Sequence, residues 1–392
     1  MKRAQIVLAK RVVVLVIALL MIIGLVLGSL IGQARPVQVH AFTSARAMAT
    51  IEMTSGRLLY AKNENAPLPM ASTTKIVTAI TVLEHVADIE QKIRVHDKSI
   101  GIEGTSVYLQ KGEELTVREL LYGLMLRSGN DCSVALALHV SKSVEDFAGL
   151  MNAIAIKAGA KNSNFKNPHG LDEEGHYTTA LDLALITAYA MKNSTFAEIV
   201  RTKDVKISGP EYMRPIANKN RLLRTNPDIV GVKTGFTSKA GRCFVGAHHD
   251  MGMTTICVVL NCGPMFPESE SLMERATEEF RMHKVLEKDT MVENVLVRED
   301  FLYPLKENEI STVKITTSEG MILVHFNGKL IYKQEATKES VKIDNDILFT
   351  NVNDTVVGKI PVGEAISARY LPITPVELGE VNVGVGCAIN FG

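Results

Sequence analysis

The stretch PMASTTKIVTAI, Pro69 to Ile80, sets a serine and a lysine three residues apart at the mouth of an apolar, β-branched run. Residues i and i+3 share one face of a helix. The spacing therefore predicts a helix from Ser72 to about Val86, with the Ser72 hydroxyl and the Lys75 amine meeting where the segment becomes buried. Two readings compete. Either Ser72 is a cap and Lys75 a surface charge, or Lys75 takes the proton of Ser72 and makes it a nucleophile. The second reading needs a perturbed lysine, because an ammonium of pKa about 10.4 is no base at neutral pH. Burial lowers that value, and a second positive charge nearby lowers it further.

The same S-x-x-K spacing recurs at Ser163/Lys166 and Ser311/Lys314. Ser163 falls in a polar loop where nothing would desolvate its lysine. Ser311 falls in an alternating strand, where i and i+3 point to opposite faces. Only Ser72 combines helical context with an apolar surround. Two further stretches suit the same chemistry. In VGVKTGFTSKAGRCFVG, Val230 to Gly246, Lys233 is a candidate second cation, and Gly235 on a strand edge lets a substrate approach the backbone. Alone, that segment reads as a surface lysine beside a bulge. In RSGND, Arg127 to Asp131, Ser128-Gly129-Asn130 is the one S-x-N of the chain. Alone, it reads as a helix end followed by an Asn or Asp cap. Its residues also suit chemistry, since Ser128 can relay a proton and the Asn130 amide can both donate and accept.

The 392 residues allow two domains and a large core. Formal charge is zero overall, but residues 1–41 carry five Lys or Arg and no acid, leaving 38 basic against 43 acidic side chains. Such a body is no candidate for general nucleic-acid binding. Val12 to Ile31 is an unbroken run of apolar and small residues behind Lys10 and Arg11. It marks an exported chain whose residues after about 42 face outward. A run of about 20 apolar residues can span a bilayer, while Val39-His40-Ala41 and Ala47-Met48-Ala49 offer small-residue cleavage sites. A retained membrane anchor and a cleaved signal peptide both fit. The five cysteines (Cys132, Cys243, Cys257, Cys262, Cys387) make no disulfide framework, and Cys132 and Cys257 sit in apolar runs as small hydrophobes. No metal spacing joins Cys257 and Cys262 to His248-His249. Neither a metal nor a cofactor is expected.

Thr43 to about Glu287 reads as mixed α/β. Thr50 to Asn63 is a hairpin turning at Ser55-Gly56, and Thr116-Val117-Arg118-Glu119 is a capping box opening a helix that ends near Arg127. Further helices are expected over Asp131–His139, Val144–Ala158 with Gly159 as its stop, Thr179–Lys192 and about Ser269–His283. Strands are expected at Cys243–Ala247 and Thr254–Leu260. From about Asp289 the segments STVKITTSE, MILVHFNGKLIYKQEA and AISARYLPI alternate apolar and polar residues, with a hairpin turn at Asn327-Gly328. The expected organisation is an N-terminal segment over 1–41, a mixed α/β domain over 42–288 and an all-β domain over 289–392.

S-x-x-K, an S-x-N element and K-T-G, in that order on helix start, inter-helix loop and strand, are the signature of penicillin-binding proteins and class A β-lactamases. The chain resembles the low-molecular-mass penicillin-binding proteins, the serine-type D-alanyl-D-alanine carboxypeptidases. The likeness runs from about Ala47 to Glu287 and includes Gly104 to Ala137, Asn164 to Ala184 and NKNRLL, Asn218 to Leu223. The β-rich tail matches an accessory domain common in that family. The resemblance implies an α/β (α+β) catalytic domain of the penicillin-binding-protein/β-lactamase-like fold followed by a small all-β domain.

It also implies an extracytoplasmic enzyme that removes the terminal D-alanine from peptidoglycan stem peptides and takes β-lactam antibiotics as covalent inhibitors. Ser72 would be the nucleophile, Lys75 its base and Ser128 the proton relay to the leaving D-alanine. Asn130 would hold the peptide. Lys233 would make Lys75 less basic and, with Thr234, bind the terminal carboxylate. The N–H groups of Ser72 and Phe236, beside Gly235, would form the oxyanion hole. Lys219 and Arg221 are possible further carboxylate contacts, His176 is a loop-packing histidine, and Asp182 belongs to a helix first turn. The chain ends GEVNVGVGCAINFG without the basic amphipathic helix of many relatives, so membrane attachment would fall to the N-terminal segment. The alternatives are a D,D-endopeptidase using the same site, a β-lactamase using Glu173 or Glu174, and a non-catalytic cell-wall binding protein. The last would be expected to have lost Ser72, Lys75 or Lys233.

Overall fold

The computed structural model describes residues 43–335 and, beyond them, the backbone of strands Ser340–Asp344, Ile347–Val352 and Thr355–Pro361. The apolar run Val12–Ile31, the cleavage site Val39-His40-Ala41, AISARYLPI and the glycine-rich end lie outside the described residues, whereas Ala47-Met48-Ala49 lies buried in the first strand. The chain divides into two compact units between Glu279 and Phe280.

In the first unit, β1 (Ala47–Glu52) and β2 (Leu58–Lys62) form the expected hairpin. The buried Glu52 carboxylate closes it by accepting from the Thr54 and Ser55 backbone N–H groups at 2.9 and 2.7 Å. A 3-10 turn, Ala71–Thr74, leads into α1 (Lys75–His85). The short pair β3 (Lys92–Arg94) and β4 (Glu114–Thr116) precedes α2 (Val117–Tyr122), which opens with the expected capping box of Thr116 and Glu119. After α2 the helix widens into a π-helical turn, Gly123–Arg127, and stops at Ser128 with φ 71°. Then come α3 (Asn130–Val140), α4 (Val144–Lys157), α5 (Ala180–Met191) and α6 (Ser194–Arg201). The hairpin β5 (Asp204–Ile207) and β6 (Arg214–Ala217) and the turn of helix α7 (Leu222–Thr225) follow. The unit closes with β7 (Ile229–Thr237), β8 (Gly241–Asp250), β9 (Met253–Leu260) and α8 (Met265–Glu279).

The five long strands form one antiparallel sheet in the order β2-β1-β9-β8-β7. All of β1, all but one residue of β9 and the central Cys243–His248 of β8 are buried, so both faces of the sheet are covered there. Helix α1 is buried from Lys75 to Val82, all the way round, and packs among α3, α4 and α5. Each fully buried Val or Ile there is worth about 1.5–3 kcal/mol relative to exposure. That apolar packing fixes the start of α1 and hence Ser72 and Lys75.

Two expectations are corrected: Ser311 lies in a 3-10 turn, Glu307–Thr312, and not in a strand, and the last helix of the first unit has other bounds. The helix expected over Ser269–His283 runs from Met265 to Glu279. Pro267 sits in its first turn, where a missing N–H costs nothing. The residues RMHKVL, Arg281–Leu286, instead form a strand of the second unit, paired with Phe301–Leu305. Helix α6 was not foreseen. In the second unit, Val313–Ser318, Met321–Phe326 and Lys329–Gln334 make a meander whose last turn is Asn327-Gly328, both at positive φ (49° and 76°). Its core is small: Leu286, Val297, Ile322 and Val324.

Strand β7 is an edge of the sheet, and its backbone lies directly against the turn that carries Ser72. A Cβ at Gly235 would stand 3.0 Å from both Met70 O and Ser72 N. Behind the same turn, a Cβ at Gly170 (φ 88°) would stand 2.0 Å from Ala71 O. The first contact needs a few tenths of an ångström of movement, whereas the second overlaps backbone and adds left-handed strain. Gly170→Ala is therefore expected to cost at least about 2 kcal/mol and lower the thermal midpoint by roughly 4–8 °C, with Gly235→Ala costing clearly less. Thermal unfolding of both variants checks this; a Gly170→Ala protein melting like the parent would contradict the packing described.

Candidate active site

Lys75 is fully buried at the first position of α1. Its Nζ lies 2.6 Å from Asn130 Oδ1, 2.6 Å from the backbone carbonyl of His169 and 3.0 Å from Ser72 Oγ. The first two partners are carbonyl oxygens and can only accept. They therefore consume two N–H bonds, and the third contact is set by protonation. A charged Lys75 donates its last N–H to Ser72; a neutral Lys75 turns its lone pair on the Ser72 hydroxyl. Burial, and then the charge of Lys219, lower the pKa of Lys75 to about 7. The arrangement can thus accept the Ser72 proton near neutrality.

Asn130 is held so that its oxygen must face Lys75. Its Nδ2 donates to Glu103 O at 2.5 Å, and its backbone N–H donates to Thr105 O at 2.7 Å. The neighbouring Asp131, also buried, accepts from the Val107 and Leu109 N–H groups, both at 3.1 Å. This ties the 103–109 segment to the start of α3. Ser128 sits just before, buried and left-handed, between the π-helical turn and α3. A widened turn of this kind is a common way to place a functional residue.

The loop after α4 supplies the floor. His169 O receives Lys75, and Pro168 O receives the Thr78 hydroxyl at 2.7 Å, three residues on along the same face of α1. Behind it, His176 Nδ1 accepts from Lys166 N–H at 3.0 Å, which leaves Nε2–H for Thr74 Oγ1 at 3.0 Å. The Thr74 hydroxyl in turn donates to Ala71 O at 2.8 Å. Burial lowers the His176 pKa to about 4, so it stays neutral while bracing the Ala71 turn (φ 50°). It is a loop-packing histidine, as read from the sequence. Asp182, in the first turn of α5, also accepts from Asn162 N–H at 2.6 Å and from the Ser163 hydroxyl at 2.7 Å. Ser163 is thereby committed far from any perturbed lysine.

Lys233, on β7, is 1% exposed, and its Nζ donates to Thr234 O at 2.9 Å. Burial, then Lys75 and Lys219, hold it well below the usual lysine range. The sequence pointed to Lys233 as the cation acting on Lys75. Lys219 adds a further charge that depresses Lys75, and Lys75 in turn depresses Lys233, since two buried amines do not both stay charged. Ser72, Ser128, Thr234, Gly235 and Phe236 open together onto one cavity of about 620 Å³. Phe236, 66% exposed, projects from the edge strand. Lys219 and Arg221 line the same cavity, joined by Thr105, Arg242, Met265 and Phe266. Sequence reasoning missed these four, together with the carbonyls of Glu103 and His169. Of these, Arg242 is the position that pairs across the strands with Phe236. Glu173 and Glu174 are exposed, and Glu173 binds Asn167 Nδ2 at 2.9 Å rather than facing the cavity.

Residues 34–263 match the peptidase family S11, D-alanyl-D-alanine carboxypeptidase. The chain is 31% identical over 319 residues to the D-alanyl-D-alanine carboxypeptidase DacF of Bacillus subtilis, covering 77% of each. It is 35% identical over 245 residues to the D-alanyl-D-alanine carboxypeptidase DacC of Escherichia coli, covering 58% of this chain and 60% of the relative. Its fold is that of penicillin-binding protein 5 from Haemophilus influenzae, with a TM-score of 0.65 at 24% identity over 77% of this chain and 97% of the other. A serine at the cavity wall bonded to a buried lysine one turn on, set against a Lys-Thr-Gly edge strand within a fold and sequence shared at this level, places the chain in the D-alanyl-D-alanine carboxypeptidase family.

Proposed function

We propose that the protein is a serine D,D-carboxypeptidase that cleaves the terminal D-alanine from peptidoglycan stem peptides through an acyl-enzyme on Ser72. The observation that carries this reading is the Lys75 nitrogen, whose two carbonyl acceptors leave only Ser72 Oγ as a partner able to give up a proton.

The substrate's terminal carboxylate enters among Lys219, Lys233 and Thr234. An arriving anion favours the charged form of these lysines, and their charge keeps Lys75 neutral. Lys75 takes the Ser72 proton as Oγ attacks the carbonyl carbon of the penultimate D-alanine. The N–H groups of Ser72 and Phe236 receive the developing oxyanion, each such donor being typically worth about 3–4 kcal/mol. Ser128 passes a proton to the departing amine of the terminal D-alanine, and Asn130 holds the peptide backbone while fixing Lys75. Water then releases the shortened peptide from Ser72. The β-lactamase alternative requires a glutamate beside the acyl group, and no acidic side chain lines this cavity among the described residues.

We assign the chemistry to the first unit and an accessory role to the β-rich remainder. The enzyme acts outside the cytoplasm, and the N-terminal apolar run either anchors it or is removed; the mass of the mature protein separates the two. Brief exposure to benzylpenicillin is expected to add one drug mass to the protein, read by intact mass spectrometry. Ser72→Ala is expected to show no adduct, and Lys75→Ala to acylate at least about 100-fold more slowly while melting normally. An adduct that persists in Ser72→Ala, or near-parental acylation in Lys75→Ala, would remove the assigned roles.

A further inference from the structure

The cavity beside Ser72 carries more positive charge than one terminal carboxylate can use. Lys219, Arg221 and Arg242 line it without an acidic neighbour in the lining. Two of the three are already engaged. Lys219 Nζ donates to Thr105 Oγ1 at 3.2 Å, and the Arg221 guanidinium lies over the Phe266 ring at 4.7 Å. Arg242 stands apart from both, on β8, and is exposed. Its Nη1 donates to Gly263 O at 3.2 Å, and no carboxylate pairs with it among the described residues. Four of its five N–H donors are left for a ligand.

The position of Arg242 along the sheet says which ligand. In β7, Thr234 comes first, then Gly235 with its backbone against Ser72 N, then Phe236, which pairs in register with Arg242. A peptide extended beside β7, with its carboxylate at Thr234 and its scissile carbonyl at Ser72, continues toward Phe236. A strand rises about 3.4 Å per residue, so Thr234 to Phe236 spans about 7 Å, and alternate residues share a face. The residue two places before the terminal D-alanine therefore comes level with Arg242. A guanidinium there can grip a carboxylate with two parallel hydrogen bonds.

We propose that Arg242 forms a second anion subsite, selecting peptides with a carboxylate on the side chain of the third residue from the C-terminus. This rests on the carboxypeptidase reading above and extends it to substrate choice.

The test compares D-alanine release from N-acetyl-L-Glu-D-Ala-D-Ala and N-acetyl-L-Gln-D-Ala-D-Ala at low ionic strength. An exposed charge pair supports a modest effect, so kcat/KM is expected to be about 3–5-fold higher for the Glu peptide. The preference should fade in about 1 M salt, where charges are screened within about 3 Å. Arg242→Gln is expected to bring the ratio to about one. Arg242→Glu is expected to reverse it and favour N-acetyl-L-Lys-D-Ala-D-Ala, a gain that misfolding cannot produce. Equal kcat/KM for the two peptides with the parent protein, or a Glu preference that survives both substitutions, would overturn the subsite alone. If the parent releases D-alanine from neither peptide, the carboxypeptidase reading fails and the subsite with it.

Discussion

The Lys75 nitrogen is enclosed by protein, and its two shortest contacts are carbonyl oxygens at 2.6 Å rather than a carboxylate. Keeping an ammonium in such a place costs several kcal/mol when no anion compensates it. Shedding the proton relieves that cost, and the amine that remains is a base. The carbonyls do a second thing. They fix the rotation of the amine, so that its lone pair is directed at Ser72 by elimination. Desolvation sets the pKa and hydrogen bonding sets the direction, and neither alone would make Ser72 reactive.

Most of the surrounding architecture maintains these contacts. Asn130 turns its oxygen to Lys75 because Glu103 O accepts one of its amide hydrogens on the other side. The His169 carbonyl is in place because the loop around it is pinned to α1 through Thr78 and to the Ser72 turn through Gly170. His176 and Thr74 satisfy the Ala71 carbonyl, exposed by a left-handed residue that would otherwise strain the turn. On the open side, the edge strand β7 closes on Ser72 N closely enough that only glycine passes at Gly235 without adjustment. The site therefore lies where a helical cluster meets a sheet edge, and the sheet contributes an edge strand beside which an extended peptide can lie.

Much of this was legible in the sequence because side-chain type and helical period carry it. Ser72 and Lys75 were set apart from the two other S-x-x-K pairs by their apolar surround, although Ser311 lies in a 3-10 turn and not in the expected strand, and the capping box at Thr116 marked the helix that ends at Ser128. What could not be read was carried by backbone. Glu103 and His169 act through their carbonyls, and any residue type would offer the same oxygen. Lys219 depresses both buried lysines although it belongs to none of the three motifs. Arg242 reaches the cavity only through the register of β8 on β7. The end of α8 was misplaced because the alternating residues Arg281–Leu286 follow a helical pattern with no glycine or proline between them.

The central claim is that burial makes Lys75 a base near neutrality. The most direct measurement is the pH dependence of the second-order rate of Ser72 acylation by benzylpenicillin, whose own carboxylate stays ionised throughout. The rate is expected to be low where Lys75 is protonated, to rise as pH increases, and to level off with a midpoint near the Lys75 value of about 7. A rate that does not change across that region, or that rises only toward the ordinary lysine value of about 10.4, would contradict it.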